Sequence, residues 1–182
     1  MRAKFQIRMK TPSSAEFASL VEQFETRYRT LGHMYRKVLE TCEQKDVWNS
    51  DTDRNERIMF PYFLKWGNMS RVLGFKGCEI LGNQLKQLDA RLACFKQNTL
   101  ATVDLTRMSS EITDLYKIIL NATWTSKKGK LKRVGPTSTA KALHLVAPNL
   151  FMIWDQAIRQ YYGFKDTGEA YTRFLTTMQR WL

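Results

Sequence analysis

Apolar residues recur at intervals of three and four along nearly the whole chain, the spacing that puts them on one face of successive helices. Ser13 or Ser14 can cap a first helix carrying Phe17, Leu20, Val21, Phe24, Tyr28, Leu31 and Tyr35, continuing to about Cys42. The polar stretch 49–57 reads as a loop, with Asp51 or Asp53 as the next cap and Pro61 near the start of the helix that follows. A helix over 78–95 turns Ile80, Leu81, Leu85, Leu88 and Leu92 inward and Lys86, Arg91 and Lys96 outward. Ser109 or Ser110, followed by Glu111 and Asp114, starts a helix with Ile112, Leu115, Ile118, Ile119 and Trp124. Further helices are expected over 137–146, 155–162 and 169–181, with Pro148 ending the first of these. No internal repeat, low-complexity tract or β-hairpin is expected. The pattern predicts one compact all-α domain over 1–182, a length sufficient for one real core.

Within this frame, the segment from Leu131 to Asp155 carries the chemistry. A Val-Gly-Pro turn at Val134–Gly135–Pro136 opens an amphipathic helix, and Asp155 follows twenty positions after Gly135. A glycine turn lets backbone N–H groups approach an anion closely, and the helix start adds its positive dipole end. Lys127, Lys128, Lys130, Lys132 and Arg133 stand immediately before that turn. The turn and its basic approach therefore form a candidate phosphate site. Asp155, emerging after the apolar run 150–154, is expected to be partly buried and is a candidate catalytic carboxylate.

These residues resemble the signature of the helix-hairpin-helix DNA glycosylase superfamily. That signature is Leu-Pro-Gly-Val-Gly, one basic or polar residue, then Lys or Ser, with an Asp twenty residues beyond the second Gly. Leu131, Val134 and Gly135 match the hairpin, Thr137 takes the Lys or Ser position and Asp155 that of the catalytic Asp. Lys132 and Arg133 depart from it, Arg133 replacing the first Gly, so a distorted hairpin is expected. The match covers 131–161, with the helix-hairpin-helix motif at about 118–146 and the catalytic segment at 148–162.

The resemblance implies that a DNA base is rotated out of the duplex and its N-glycosidic bond hydrolysed, with Asp155 stabilising the cationic sugar. Lys130, Lys132, Arg133, Val134, Gly135 and Thr137 would bind the DNA backbone. Family members with Lys at the Thr137 position form a Schiff base and cut the strand; Thr implies a monofunctional enzyme leaving an abasic site. Lys141, one helical turn onward, is a second candidate for the lyase position or a DNA contact. The implied substrate is an oxidised, alkylated or mismatched base, with a hypermodified phage cytosine such as glucosylated hydroxymethylcytosine as an antiviral alternative. Tyr62, Trp66, Asn68 and Arg71 combine flat rings, an amide and a guanidinium, a set suited to an extruded base, although aromatic residues in such a pattern ordinarily pack in the core.

Charge agrees with a polyanionic partner. The formal net charge is +12 and the pI about 9.8, and each cation set against a phosphate releases condensed counterions. Cys42, Cys78 and Cys94 are odd in number and lack metal-ligand spacing, and no Cys follows Cys94, so neither a metal nor an iron–sulfur cluster nor any other cofactor is expected. The basic N-terminus lacks an apolar run of signal-peptide length, and no segment approaches the roughly 18 apolar residues of a membrane helix. A soluble cytoplasmic monomer, nucleoid-associated in a bacterium, is the expectation.

His33 and His144 have no ligand-spaced neighbour and read as structural. Asp155 alone is also a good helix N-cap, and a lysine run is commonly a solvated loop. Two non-enzymatic alternatives follow: a helix-hairpin-helix module that only binds DNA, or an all-α protein whose basic face binds RNA or an acidic protein.

Overall fold

The structure is a computed structural model; it describes residues 29–182 together with Ala15, Ser19, Glu22 and Thr26. The proposed Ser13 or Ser14 cap and most of the first helix's apolar stripe lie outside the described residues. Of the described residues 67% are helical and 4% lie in strands, an all-α fold in class.

Helix α1 spans Arg29–Cys42, followed by the short helices α2 (Lys45–Asn49) and α3 (Asp51–Asp53), which lead into a π-helical segment over Arg54–Trp66. The stretch expected to be a loop is thus helical, and Arg54 explains why. Its side chain is fully buried; the guanidinium donates to the Trp48 carbonyl at 3.0 Å, to Asp51 at 2.9 Å and to Asn83. A buried cation has to be matched by acceptors, and the polar segment winds into helical turns that supply them. Ser50, rather than either aspartate, caps α3 by accepting from the Asp53 N–H. Pro61 lies inside the π-helical segment, not near a helix start. The wider winding shows at its end, where Gly67 N–H donates to Tyr62 five residues back at 2.7 Å.

Helix α4 (Gly74–Gln87) buries Cys78, Leu81 and Leu85, and the expected 78–95 helix is broken at Leu88 into α4, α5 (Asp89–Leu92) and a 3₁₀ turn, Ala93–Phe95. Helix α6 (Leu105–Leu120) begins earlier than expected because Asp104, not Ser109 or Ser110, accepts from the Arg107 N–H at 3.0 Å. Strands β1 (Thr123–Thr125) and β2 (Leu131–Arg133) then run antiparallel, pairing Thr123 with Arg133, Trp124 with Lys132 and Thr125 with Leu131. This hairpin was not expected. Trp124 does not extend α6; it is buried on β1, and a Cβ added at Gly77 of α4 would come within 2.7 Å of its ring. The absence of a side chain at Gly77 is what lets the hairpin dock on α4.

Helices α7 (Pro136–Val146), α8 (Gln156–Tyr162) and α9 (Gly168–Gln179) complete the chain. Helix α9 packs against α6 so closely that a Cβ on Gly168 would come within 2.6 Å of the Thr113 carbonyl oxygen. The core joins α6, α7 and α9 through Tyr116, Leu143, Phe151, Trp154, Tyr171 and Phe174 to the Ile58, Tyr62 and Phe63 face of the π-helical segment. Among the described residues no helix is long and apolar enough to cross a membrane.

Candidate functional site

Between α6 and α7 lies the basic hairpin. Gly129, with φ of 72°, turns the chain, and Ser126 N–H donates to Lys130 at 2.8 Å. Lys127, Lys128, Lys130, Lys132 and Arg133 are all exposed, and among the described residues none of them forms an ion pair. The two helices of the motif region are therefore separated by a β-hairpin, with Leu131, Lys132 and Arg133 in strand β2 rather than in a tight glycine turn. A side chain at position 133 is compatible with an extended strand, which removes the need for glycine there. Leu131 is 74% exposed, while Val134 is buried and its N–H donates to Ala122, tying the hairpin to the end of α6.

Gly135 adopts φ 76° and ψ 166°, a conformation essentially reserved for glycine. Its carbonyl accepts from the Thr139 backbone N–H at 3.0 Å and the Thr139 hydroxyl at 2.8 Å, while no side chain caps α7. Pro136 occupies the first turn, where a missing N–H costs nothing. Ser138 in the same turn is buried, and its hydroxyl has no partner among the described residues. The turn thus retains positive helix-end character beside the unpaired cations of the hairpin.

Asp155 caps α8: its Oδ1 accepts from the Ile158 N–H at 2.9 Å. It is exposed, not partly buried as expected, because the buried residue of this turn is Trp154. One turn later, Arg159 is buried and links the two halves of the site. Its Nη1 donates to the Thr137 hydroxyl at 3.1 Å, its Nε pairs with Asp166 at 2.6 Å, and its guanidinium lies 5.7 Å from the Trp154 ring centroid. Helix α8, which Asp155 caps, is thereby clamped to the first turn of α7. A cavity of about 350 Å³ opens there, lined by Pro136, Gln156, Arg159, Gln160, Phe164 and Asp166.

One turn further along α7, Lys141 donates to the Gly67 carbonyl at 2.6 Å and sits 5.5 Å from the Trp66 ring centroid. Burial lowers its pKa, and the Asp155 carboxylate partly counters that effect. Trp66 is half-buried and stacks with Tyr35 at 4.8 Å and Tyr62 at 4.9 Å. Tyr62 is fully buried and donates to the Lys141 carbonyl, so it belongs to the core wall behind Lys141. Asn68, at φ 50°, and Arg71 are exposed on the loop after Trp66.

His144 is bonded at both nitrogens, Nδ1 to the Phe151 carbonyl and Nε2 to the Tyr35 hydroxyl, each at 2.6 Å. A carbonyl only accepts, so Nδ1 carries the proton and Nε2 accepts from Tyr35. Burial lowers the His144 pKa, and the ring joins α1 to the loop before Asp155. Cys42 and Cys78 have thiol pKa values pushed up to about 12 by burial, and Cys94 is exposed. No cluster of three or more His, Cys, Asp or Glu that would hold a metal occurs among the described residues.

The clamp made by Arg159 and the bond from Tyr35, expected only as part of an apolar stripe, to His144 were not anticipated. Arg159 had a signal, its place one turn after Asp155, whereas Tyr35 lies 109 positions from its partner His144 and had none. The chain matches no protein-family model, no curated protein and no solved structure.

Proposed function

We propose that this protein is a DNA N-glycosylase, acting as a monomer on duplex DNA, in which α6, the basic hairpin and α7 serve as an enlarged helix-hairpin-helix element. The observation that carries this reading is the Arg159–Thr137 bond, which holds the Asp155 helix against the first turn of α7, next to a hairpin of unpaired cations. DNA phosphates would lie along Lys130, Lys132 and Arg133 and at the Gly135 turn, positioning the duplex without reading sequence.

The target nucleotide leaves the stack at a cost of a few kcal/mol, lower for damaged, mispaired or modified bases. The bond between C1′ and the base nitrogen then breaks, its electron pair leaving with the base. Positive charge develops on the sugar, where the Asp155 carboxylate stabilises it. Capping and catalysis are compatible, since Oδ1 holds the Ile158 N–H and a second carboxylate oxygen remains for the sugar. Water adds to C1′, its proton passing to Asp155 or solvent, and an abasic site is left.

Thr137 offers a hydroxyl already engaged by Arg159 and no amine, which favours hydrolysis without strand cleavage. The decisive experiment digests DNAs bearing natural, damaged and phage-type bases, glucosylated hydroxymethylcytosine included, and identifies released bases by mass spectrometry. Release by the wild type and none by Asp155→Asn, with DNA affinity retained, is expected. Intact DNA in every case would leave a binding module in which Asp155 is only a cap. A borohydride-trapped adduct that disappears in Lys141→Ala would overturn the monofunctional assignment.

A further inference from the structure

A second surface adjoins the hairpin, on the loop and first turn that lead into α4. Phe75 is 64% exposed and Val72 45% exposed, two apolar side chains in and just before the first turn of an otherwise well-packed helix. Phe75 is held at one side by Phe60, with ring centroids 4.8 Å apart and planes at 88°, so the exposed ring has a defined position. Gly74, at φ 58°, and Asn68, at φ 50°, bound the loop that presents it.

The surroundings are cationic. Arg71 and Lys76, four residues before and one after Phe75 in the chain, are exposed, although Lys76 is also 3.1 Å from Glu79. Gly77, two residues after Phe75, lies against the Trp124 ring and so brings this turn to the hairpin. The strand register puts Lys132 opposite Trp124, on the face of the hairpin that meets α4. Lys141, bonded to the Gly67 carbonyl, connects the start of the same loop to the Asp155 corner.

We infer that Phe75, with Val72 beside it, is a stacking surface for an unstacked base of a DNA strand whose phosphates run along the hairpin. An exposed, positioned aromatic ring within a cationic field is the arrangement that holds single-stranded or locally opened DNA, because every base offers a flat face and every linkage a negative charge. Phe75 and Val72 stand uncovered, three residues apart, on a chain of formal net charge +12. The inference rests on DNA as the partner in the proposed function and is independent of chemistry at Asp155.

The test is binding of a single-stranded DNA, and of a duplex with a central mismatch, each carrying 2-aminopurine, followed by anisotropy and fluorescence quenching from low to high salt. Phe75→Ala should weaken binding of both by about 5- to 150-fold and abolish the quenching, with the slope against salt unchanged, since a phenyl ring neutralises no phosphate. Phe75→Trp should restore both signals. A paired change, Lys130→Ala with Lys132→Ala, should do the reverse, flattening the salt slope while quenching of the bound strand persists. Wild-type affinity or quenching in Phe75→Ala overturns the inference, as does an RNA strand of the same sequence bound tenfold more tightly than DNA. Phe75-dependent quenching without base release from any DNA would sink the glycosylase reading and leave this surface standing; base release with a Phe75-independent signal would do the opposite.

Discussion

The hairpin and the α7–α8 corner both carry basic side chains, under opposite conditions. Lys127, Lys128, Lys130, Lys132 and Arg133 project into water without ion pairs among the described residues. Arg159 is buried between Thr137, Asp166 and Trp154, and Lys141 is half-buried against Gly67 and Trp66. A buried cation forms bonds in the folded state that hold other groups in place, whereas an exposed unpaired one adds little to stability and keeps its field for a partner. The corner's cations therefore work on geometry, and the hairpin's are left for the association proposed above, a division that variants can break.

The largest effect is expected at Asp155. Asp155→Asn should reduce base release by about 10²- to 10³-fold, the scale of removing one preorganised charge-stabilising group, with DNA affinity in filter binding little changed. Full activity in that variant would reduce the corner to a structural joint. Arg159→Ala comes next: it leaves the Thr137 hydroxyl and Asp166 without their partner and should cost about 2–3 kcal/mol in urea unfolding. Arg159→Lys should recover only part of this, because one ammonium cannot serve Thr137 and Asp166 in the guanidinium's fixed geometry. An unfolding midpoint equal to wild type in Arg159→Ala would remove the clamp.

Hairpin variants should behave in the contrary way. Alanine at Lys130, Lys132 or Arg133 should leave unfolding within about 0.5 kcal/mol of wild type. For every DNA phosphate that such a variant no longer neutralises, the plot of log affinity against log salt should flatten by about 0.9. A hairpin variant that unfolds early with its salt slope intact would reverse the division of labour.

The smallest effect concerns His144, held neutral between Phe151 and Tyr35. Its pKa is lower in the folded state than in the unfolded chain, where it is about 6.5, so the unfolded chain takes up the proton first as pH falls. This contribution to stability is complete above about pH 6.5 and diminishes on acidification through the folded-state pKa. Urea midpoints between about pH 5 and 7 should show the loss in the wild type and a flatter profile in His144→Gln. Identical profiles would show that the imidazole takes no part.

Local patterns carried much of the fold. The spacing of Ile112, Leu115 and Ile119 marked the middle of α6 but neither of its ends, and Pro136 after Gly135 marked the start of α7 within one residue. Asp155 followed by an amphipathic turn announced the N-cap of α8. Caps at Ser50 and Asp104 were assigned to neighbouring residues instead, because several polar residues in each stretch are chemically able to cap and only the path of the chain selects one.

What the sequence by itself determined is the all-α class, the positions of the later helices, the glycine turn at Gly135 and the concentration of positive charge before it. These depend on side-chain periodicity and backbone freedom within a few residues. The tertiary structure alone decided that the basic run forms a β-hairpin, since Trp124 is buried only where Gly77 of a distant helix leaves it room. It alone turned 49–57 from a polar loop into helix, through the acceptors gathered around Arg54. It also clamped the helix that Asp155 caps to the first turn of α7, through Arg159 and Thr137, 22 residues apart. Each of these outcomes depends on a buried group finding a partner beyond its own helical turn, which short-range spacing does not encode.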